Sequence, residues 1–590
     1  MTPKKSYLMI IFVAAVVAMG LLAVHPEKIH AAQLLDRVSA SLCTRLFLAE
    51  DPARIICQQE SLAESERLLA FFQRRGFRPA WLAADGPRPE AFALLLMLED
   101  AGSDGLRATD YHLAALAAAL PELSRKLTLG ELVAPAKLAD LDLLLTDALL
   151  LFAAHLSAGK ADPQTMQEAW HIPGEPLDIV ARLERALAAG VLFPTLRALR
   201  PESPGYHRLR ESLARYRDLA ASGGWLVLAE GKLLEQGMRH PRVAELRSRL
   251  LAEGDLLALT LGDPNHFDAL LEQAVLGYQQ RRGLPVDGKV GPMTVAALNV
   301  PVTERIRQLE LNLERMRWLP RDLGPRYIVV NIPGFDLQVI EDGQTVASMG
   351  VVVGSEAQPT PIFSRTMTYL ELNPYWNIPR RLVTREILPL VQRDPEYLVE
   401  RNIRVYAGWQ SDSAEVPSEA IDWSGVDPET HPYRFRQDPG VKNSLGRIKF
   451  MFPNQFNVYL HDTPSTSLFA RARRAFSHGC IRLERPLELA TYLLQEEPFW
   501  TRSEIMYAIA SGENLKIGLP RPLPVFLVYL TAWVDENGAT NFREDIYGRD
   551  ESLQVALNQP PAGLIQPDAT EVVELDVREE NGAPEEPVID

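Results

Sequence analysis

Cys480 is one of three cysteines in the chain, and it lies in the run Ser477-His478-Gly479-Cys480-Ile481-Arg482. A second histidine, His461, stands upstream in Tyr459-Leu460-His461-Asp462. A thiol becomes a useful nucleophile when a neighbouring imidazole takes its proton and the resulting cation stabilises the thiolate. These residues therefore offer the chemistry of a covalent cysteine acyl-enzyme. By type alone they equally suit a small buried cysteine with two core histidines. Gly479 permits a tight backbone approach, so N–H groups around His478-Gly479-Cys480 can face a developing oxyanion. Zinc on His461, Asp462, His478 and Cys480 is disfavoured, because His478 and Cys480 are too close for the usual structural loops. Neither a metal nor a cofactor is expected.

The wider wording chooses between these readings. Ser444-Leu445-Gly446, Lys449-Phe450, Phe452-Pro453-Asn454, Tyr459-Leu460-His461-Asp462-Thr463-Pro464 and Ser477-His478-Gly479-Cys480 together resemble the catalytic core of YkuD-type L,D-transpeptidases. Asn373-Pro374-Tyr375-Trp376-Asn377-Ile378-Pro379 is similar to their large YcbB-like branch. The general pattern has Asn where this chain has Arg482, a change that branch tolerates. The resemblance implies Cys480 as nucleophile and His461 as base, with the imidazole oriented by the backbone carbonyl of Asp462. It gives His478 a structural or electrostatic role and places Ser477 and Gly479 in the site turn. Arg482 is a candidate for holding a substrate carboxylate; an ion pair with Glu484 is the alternative. Tyr375, Trp376 and Tyr433 either line the cleft or pack a core. The implied reaction links the third residues of peptidoglycan stem peptides through a thioester. Carbapenems are the inhibitors the resemblance implies, and penicillin-binding proteins and D,D-carboxypeptidases the protein partners. The alternatives are an L,D-carboxypeptidase or crosslink hydrolase using the same cysteine, and a non-catalytic wall-binding scaffold.

The elements that must position these residues give a multidomain α+β chain. Residues 33–230 read as a mainly helical scaffold. Ser61-Leu62-Ala63-Glu64 has the form of a capping box opening an amphipathic helix, and apolar helices follow at Glu90–Glu99, Leu138–His155 and Leu177–Ala189. His112 and His155 read as capping or surface residues. Residues 231–302 form a small three-helix unit in which Gly283 ends a helix, Asp287-Gly288 turn and Pro292 opens the next helix. It resembles peptidoglycan-binding domains. Residues 303–325 read as a linker helix. From 326 to 550 the period becomes alternating, with strands at Tyr327–Ile332, Phe335–Glu341, Val346–Val353, Met367–Leu372, Ile448–Phe452, Asn457–His461 and Val525–Val534. An irregular stretch at about 397–442 interrupts this β-rich catalytic domain and reads as a lid. Residues 551–590 read as an acidic disordered tail.

Composition bounds the rest. A formal charge of -16 and a pI near 5.3 exclude the basic footprint that nucleic acid requires. Lys4 and Lys5 before the apolar run Tyr7–Val24 make residues 1–32 a signal peptide or membrane anchor, with Ala31-Ala32 a possible cleavage point. Either places the chain in the periplasm, in contact with the inner membrane if uncleaved. In that oxidising space Cys43 and Cys57 either pair or stay as two buried thiols.

Overall fold

The computed structural model describes residues 26–561, except for 48–55, 58–59, 84, 167–169, 175–176, 258–261 and 411. The apolar run Tyr7–Val24 and the acidic residues 562–590 lie outside the described residues. The first described helix, Pro26–Phe47, runs through Ala31-Ala32.

The scaffold is built around one helix, Pro135–Ala158, buried on every side from Leu138 to Leu156. It is long and apolar enough to cross a membrane, yet it sits inside the protein as a core helix. Its carboxylates organise the loops around it. Asp142 accepts from the backbone N–H groups of Ala80 and Trp81 at 2.8 and 3.0 Å. Asp147 accepts from those of Ala63 and Glu64 at 3.2 and 2.8 Å, at the entrance of the helix Ser65–Arg74. The expected capping box is therefore absent: Ser61 lies in a short strand, and a buried aspartate from across the core supplies the acceptors. His112 and His155 are not surface residues. His112 bridges Asp147 and Glu60, and His155 is fully buried against the Tyr111 hydroxyl. Cys43 and Cys57 are free thiols.

The three-helix unit is present as Pro241–Glu253, Ala269–Arg282 and Pro292–Leu298, closed around Leu246, Phe267 and Tyr278. Gly283 ends the middle helix in the left-handed conformation, as expected. The supposed linker helix, Val302–Arg317, is instead a buried strut. Its Glu314 accepts from Ala161 N–H, and Arg317 donates to the Asp104 carbonyl, both in the scaffold. Asn312 and Arg315 reach Thr531 and Asp550 on the catalytic side. The polar residues of this linking helix are thus buried because they meet partners in the neighbouring domains.

A ten-stranded sheet forms the β-rich domain that the sequence leads one to expect. Its order runs Ile448–Met451, Leu460–His461, Ile481–Leu483, Gln344–Gly354, Asp336–Glu341, Arg326–Asn331, Leu515–Val528, Ile362–Leu372 and Trp170–His171, with Ala475–Ser477 pairing alongside. Ile448–Met451 also pairs with Ile362–Leu372, so the sheet curls back on itself. The scaffold contributes the edge strand Trp170–His171. Only Leu460–His461 of the expected Asn457–His461 strand is extended, because Asn457 turns the chain with φ +52°. The last expected strand divides into Leu515–Val528 and Ala532–Val534.

The stretch expected as a lid is a folded unit that begins earlier than expected. Trp376–Ile378, Arg434–Gln437, Ile403–Tyr406 and Glu415–Val416 make a four-stranded sheet of its own. Its core of Leu382, Val383, Leu388, Leu398, Trp423 and Phe435 is separate from that of the main sheet. Very short strands bearing Arg404, Arg434 and Arg436 on one face obscured the alternation in the sequence. The tail also starts later: residues 549–558 form a helix whose Leu553 is fully buried.

Candidate active site

Strand pairing brings the segments that carry His461 and Cys480 next to each other. Leu460–His461 runs parallel to Ile481–Leu483, with Leu460 opposite Ile481 and His461 opposite Arg482. Side chains alternate across a sheet. Leu460, Ile481 and Phe450 therefore face the core, where all three are fully buried. His461, Cys480, Arg482 and Tyr459 share the other face. On the far side of the histidine strand, Lys449 stands directly opposite His461. One row across this face reads Lys449, His461, Arg482, and Cys480 lies beside it in the turn that leads into the arginine's strand.

The imidazole is fixed from behind. His461 Nδ1 donates to the Asp462 carbonyl at 2.6 Å, which leaves Nε2 as the basic nitrogen. The Asp462 carboxylate points elsewhere, accepting from Arg447 N–H at 2.8 Å and Thr463 N–H at 2.7 Å. Gly446 makes room for it: a Cβ there, at φ +66°, would lie 2.4 Å from the carboxylate carbon. Burial and the Arg482 cation, with Lys449 adding to them, hold the imidazole down to about 3. Burial likewise pushes the Cys480 thiol up, against hydrogen bonds from Tyr459 and the cations of Lys449 and Arg482. Both shifts favour the uncharged forms, and the thiol donates to the Asn457 carbonyl at 3.6 Å.

The turn carrying Cys480 joins the strands Ala475–Ser477 and Ile481–Leu483 and does not lead directly into a helix. Ser477 braces it, donating to the Cys480 carbonyl while accepting from Gly479 N–H at 3.2 Å. The Gly479 amide is thus committed within the turn and does not face the cleft. Its residue is there for conformation, at φ +112°. The amides of His478 and Cys480 have no intramolecular acceptor among the described residues. Thr360 anchors the turn from the neighbouring loop, donating to the Gly479 carbonyl at 2.9 Å.

Other expected residues fall differently. His478 is half-exposed and meets Glu386 of the lid at 2.5 Å. Arg482 makes no ion pair with Glu484, which instead accepts from Gly350 N–H at 2.9 Å. The Arg482 Nε is buried without a partner. Trp376 and Tyr433 pack on the lid's own core, and Tyr375 lies under the Arg436 guanidinium, 4.3 Å from ring centroid to cation. Among the described residues, no hydrogen bond or ring contact links these three aromatic residues to Cys480. Tyr459, Lys449 and Glu386 have no role assigned by sequence alone. Alternation along Ile448–Met451 is the signal that separates Lys449 from its buried neighbours; Glu386 depends on how the lid docks.

Comparison with known proteins covers three segments. Residues 325–502 match the YkuD family, an L,D-transpeptidase catalytic domain. Residues 239–298 match a family described as "Putative peptidoglycan binding domain", and residues 66–213 match a scaffold domain. A curated Haemophilus influenzae protein named "Putative L,D-transpeptidase" is 36% identical over 250 residues, 42% of this chain and 49% of its own length. The chain thus spans about half the length of that relative. Among solved structures, an L,D-transpeptidase from Xylanimonas cellulosilytica aligns over 51% of this chain and 99% of its own, at 16% identity and a TM-score of 0.16. One from Mycobacterium smegmatis aligns over 35% and 58%, at 13% identity and a TM-score of 0.17.

Proposed function

Given a chain that carries a YkuD-type L,D-transpeptidase catalytic domain with a scaffold domain and a peptidoglycan-binding domain, we propose that it crosslinks the third residues of peptidoglycan stem peptides through a Cys480 thioester. The observation that supports this reading most is the strand register that sets Cys480 and a carbonyl-pinned His461 on one face of the sheet. His461 Nε2 takes the thiol proton, and the sulfur attacks the carbonyl of the third residue of a tetrapeptide donor. The amides of His478 and Cys480, which have no intramolecular acceptor among the described residues, would stabilise the oxyanion. Collapse of the intermediate breaks the amide, the imidazolium protonates the departing amine, and D-alanine leaves. In the second half, a side-chain amine of a neighbouring stem gives its proton to His461 and attacks the thioester. The new amide forms and the thiolate departs.

Hydrolysis of the same thioester, giving a carboxypeptidase or crosslink hydrolase, differs only in the acceptor. The peptidoglycan-binding domain is assigned to the same polymer. Residues 1–32 fit export to the periplasm as signal peptide or anchor, and penicillin-binding proteins and D,D-carboxypeptidases fit as partners supplying tetrapeptide donors. Carbapenems would acylate the same sulfur.

Intact-protein mass spectrometry tests the first step. After incubation with disaccharide-tetrapeptide, the wild type should gain the mass of the donor less D-alanine, and Cys480→Ala should gain nothing. An adduct that persists in Cys480→Ala would refute the assignment.

A further inference from the structure

Lys449 and Arg482 flank His461 on the two neighbouring strands, on the face that carries Cys480. Adjacent strands lie about 4.8 Å apart, so their Cα atoms are about 10 Å apart, a span over which two long side chains can converge on one group. Neither cation has a carboxylate within ion-pairing distance among the described residues. Lys449 sits over the Tyr459 ring, its ammonium 4.3 Å from the centroid, and that ring meets His461 edge-on at 5.7 Å. The one acidic residue opposite Lys449 in the sheet register, Glu371, accepts instead from Asn514 at 2.7 Å. Arg482 is partly buried with its Nε unsatisfied. Two cations set side by side repel each other, and leaving a buried guanidinium donor unmade costs stability. Such an arrangement is stabilised by an anion bridging both.

We propose that Lys449 and Arg482 form a two-cation subsite that binds the free C-terminal carboxylate of the donor's leaving residue. The assignment rests on the transpeptidase reading above and adds to it a reason for donor choice. A carboxylate bound beside the thiol puts the amide one residue away, the last in the chain, against the sulfur. A donor with a further residue would present an uncharged amide to the two cations. The subsite therefore selects peptides whose scissile bond is the terminal one. It also couples binding to chemistry, because a bound carboxylate offsets the two cations that hold the His461 imidazole in its neutral form.

Two measurements on the full chain test this, and the first does not depend on transpeptidation. Cys480 is alkylated with iodoacetate and with iodoacetamide, and the ratio of rates is normalised to that of a free thiol. The normalised ratio should exceed ten in the wild type, fall at least fivefold in Lys449→Met and in Arg482→Met, and stay unchanged in Lys126→Met on the distant scaffold surface. A ratio near one in the wild type, no labelling of Cys480 by either reagent, or no response in the variants would overturn the proposal. If Arg482→Met fails to fold, Lys449→Met decides alone. The second measurement compares D-alanine release from a tetrapeptide acid with release of D-alaninamide from its C-terminal amide. The acid should be preferred at least tenfold in kcat/KM, and Lys449→Met should erode that preference. Charge selection in alkylation with equal use of acid and amide would overturn the C-terminal assignment and point to another carboxylate. Absence of release from both would contradict the transpeptidase reading, while the alkylation ratio still decides whether the subsite exists.

Discussion

At the scale of single residues, the His461 imidazole is held by packing and two cations, and this has a pH signature. Its folded value is about 3, whereas an unfolded histidine titrates at about 6.5. Between those values the unfolded chain binds the extra proton, so stability rises with pH across the window. The contribution is complete above about pH 6.5 and is lost as pH falls toward 3. His461→Gln removes it, so the catalytic domain of the variant should lose less thermal stability than the wild type between about pH 6 and pH 4. A second prediction concerns Gly446. In Gly446→Ala the new methyl meets the Asp462 carboxylate at φ +66°, displacing the carbonyl that pins Nδ1. The variant should remain folded yet lose at least about tenfold in Cys480 acylation, with a strained left-handed residue costing about 1–2 kcal/mol in Tm measurements. Cys480 and His461 were legible in the sequence because they lie in short contiguous runs. Lys449 was present in the same wording without a role, since its place beside His461 exists only through strand register. The engagement of the Gly479 amide is hidden for a related reason: nothing local in the sequence shows that Ser477 takes it.

Elements show how much of the fold sequence pattern carries. The apolar helices expected at Glu90–Glu99, Leu138–His155 and Leu177–Ala189 are legible to within three residues of Pro89–Glu99, Pro135–Ala158 and Ile179–Ala188, because apolar periodicity over ten or more positions is a strong signal. Leu113–Thr128 and Pro204–Ala221 are helices that the sequence reading does not mark. The start of Ser65–Arg74 is not legible, because Asp147, far along the chain, does the work of a local cap. Asp147→Ala leaves the Ala63 and Glu64 amides and His112 without their buried acceptor. It should destabilise the scaffold by about 3–5 kcal/mol, seen as a lowered scaffold transition in calorimetry with the catalytic-domain transition less affected. The lid contact is weaker. His478 and Glu386 are 38% and 48% exposed in their side chains, and such pairs contribute about 0.2–1 kcal/mol. Glu386→Ala should therefore raise the alkylation rate of Cys480 by iodoacetamide by no more than about fivefold. A larger change would mean that the lid is held shut chiefly by this pair.

Across the whole molecule, charged residues join the domains. Glu253 of the three-helix unit meets Arg249 at 2.8 Å and also pairs with Arg282, all three almost fully buried. Burial pushes the Glu253 carboxyl up, but Arg282 and Arg249 pull it well below the usual carboxylate range. The Arg282 guanidinium also stacks on Phe542, a residue of the catalytic side, 4.5 Å from its centroid. Glu253→Gln leaves buried cations uncompensated and should cost about 3–5 kcal/mol, lowering the transition of the three-helix unit. The packing of the Val302–Arg317 strut is not legible in the sequence, which marks only a linker helix, because its buried polar residues find their partners in three domains. The measurement that tests the proposed function most directly is mass spectrometry of the products formed from purified disaccharide-tetrapeptide by wild type and Cys480→Ala. A crosslinked dimer with released D-alanine, made only by the wild type, is the expected result. Release of D-alanine without dimer, or dimer made equally by Cys480→Ala, would contradict it.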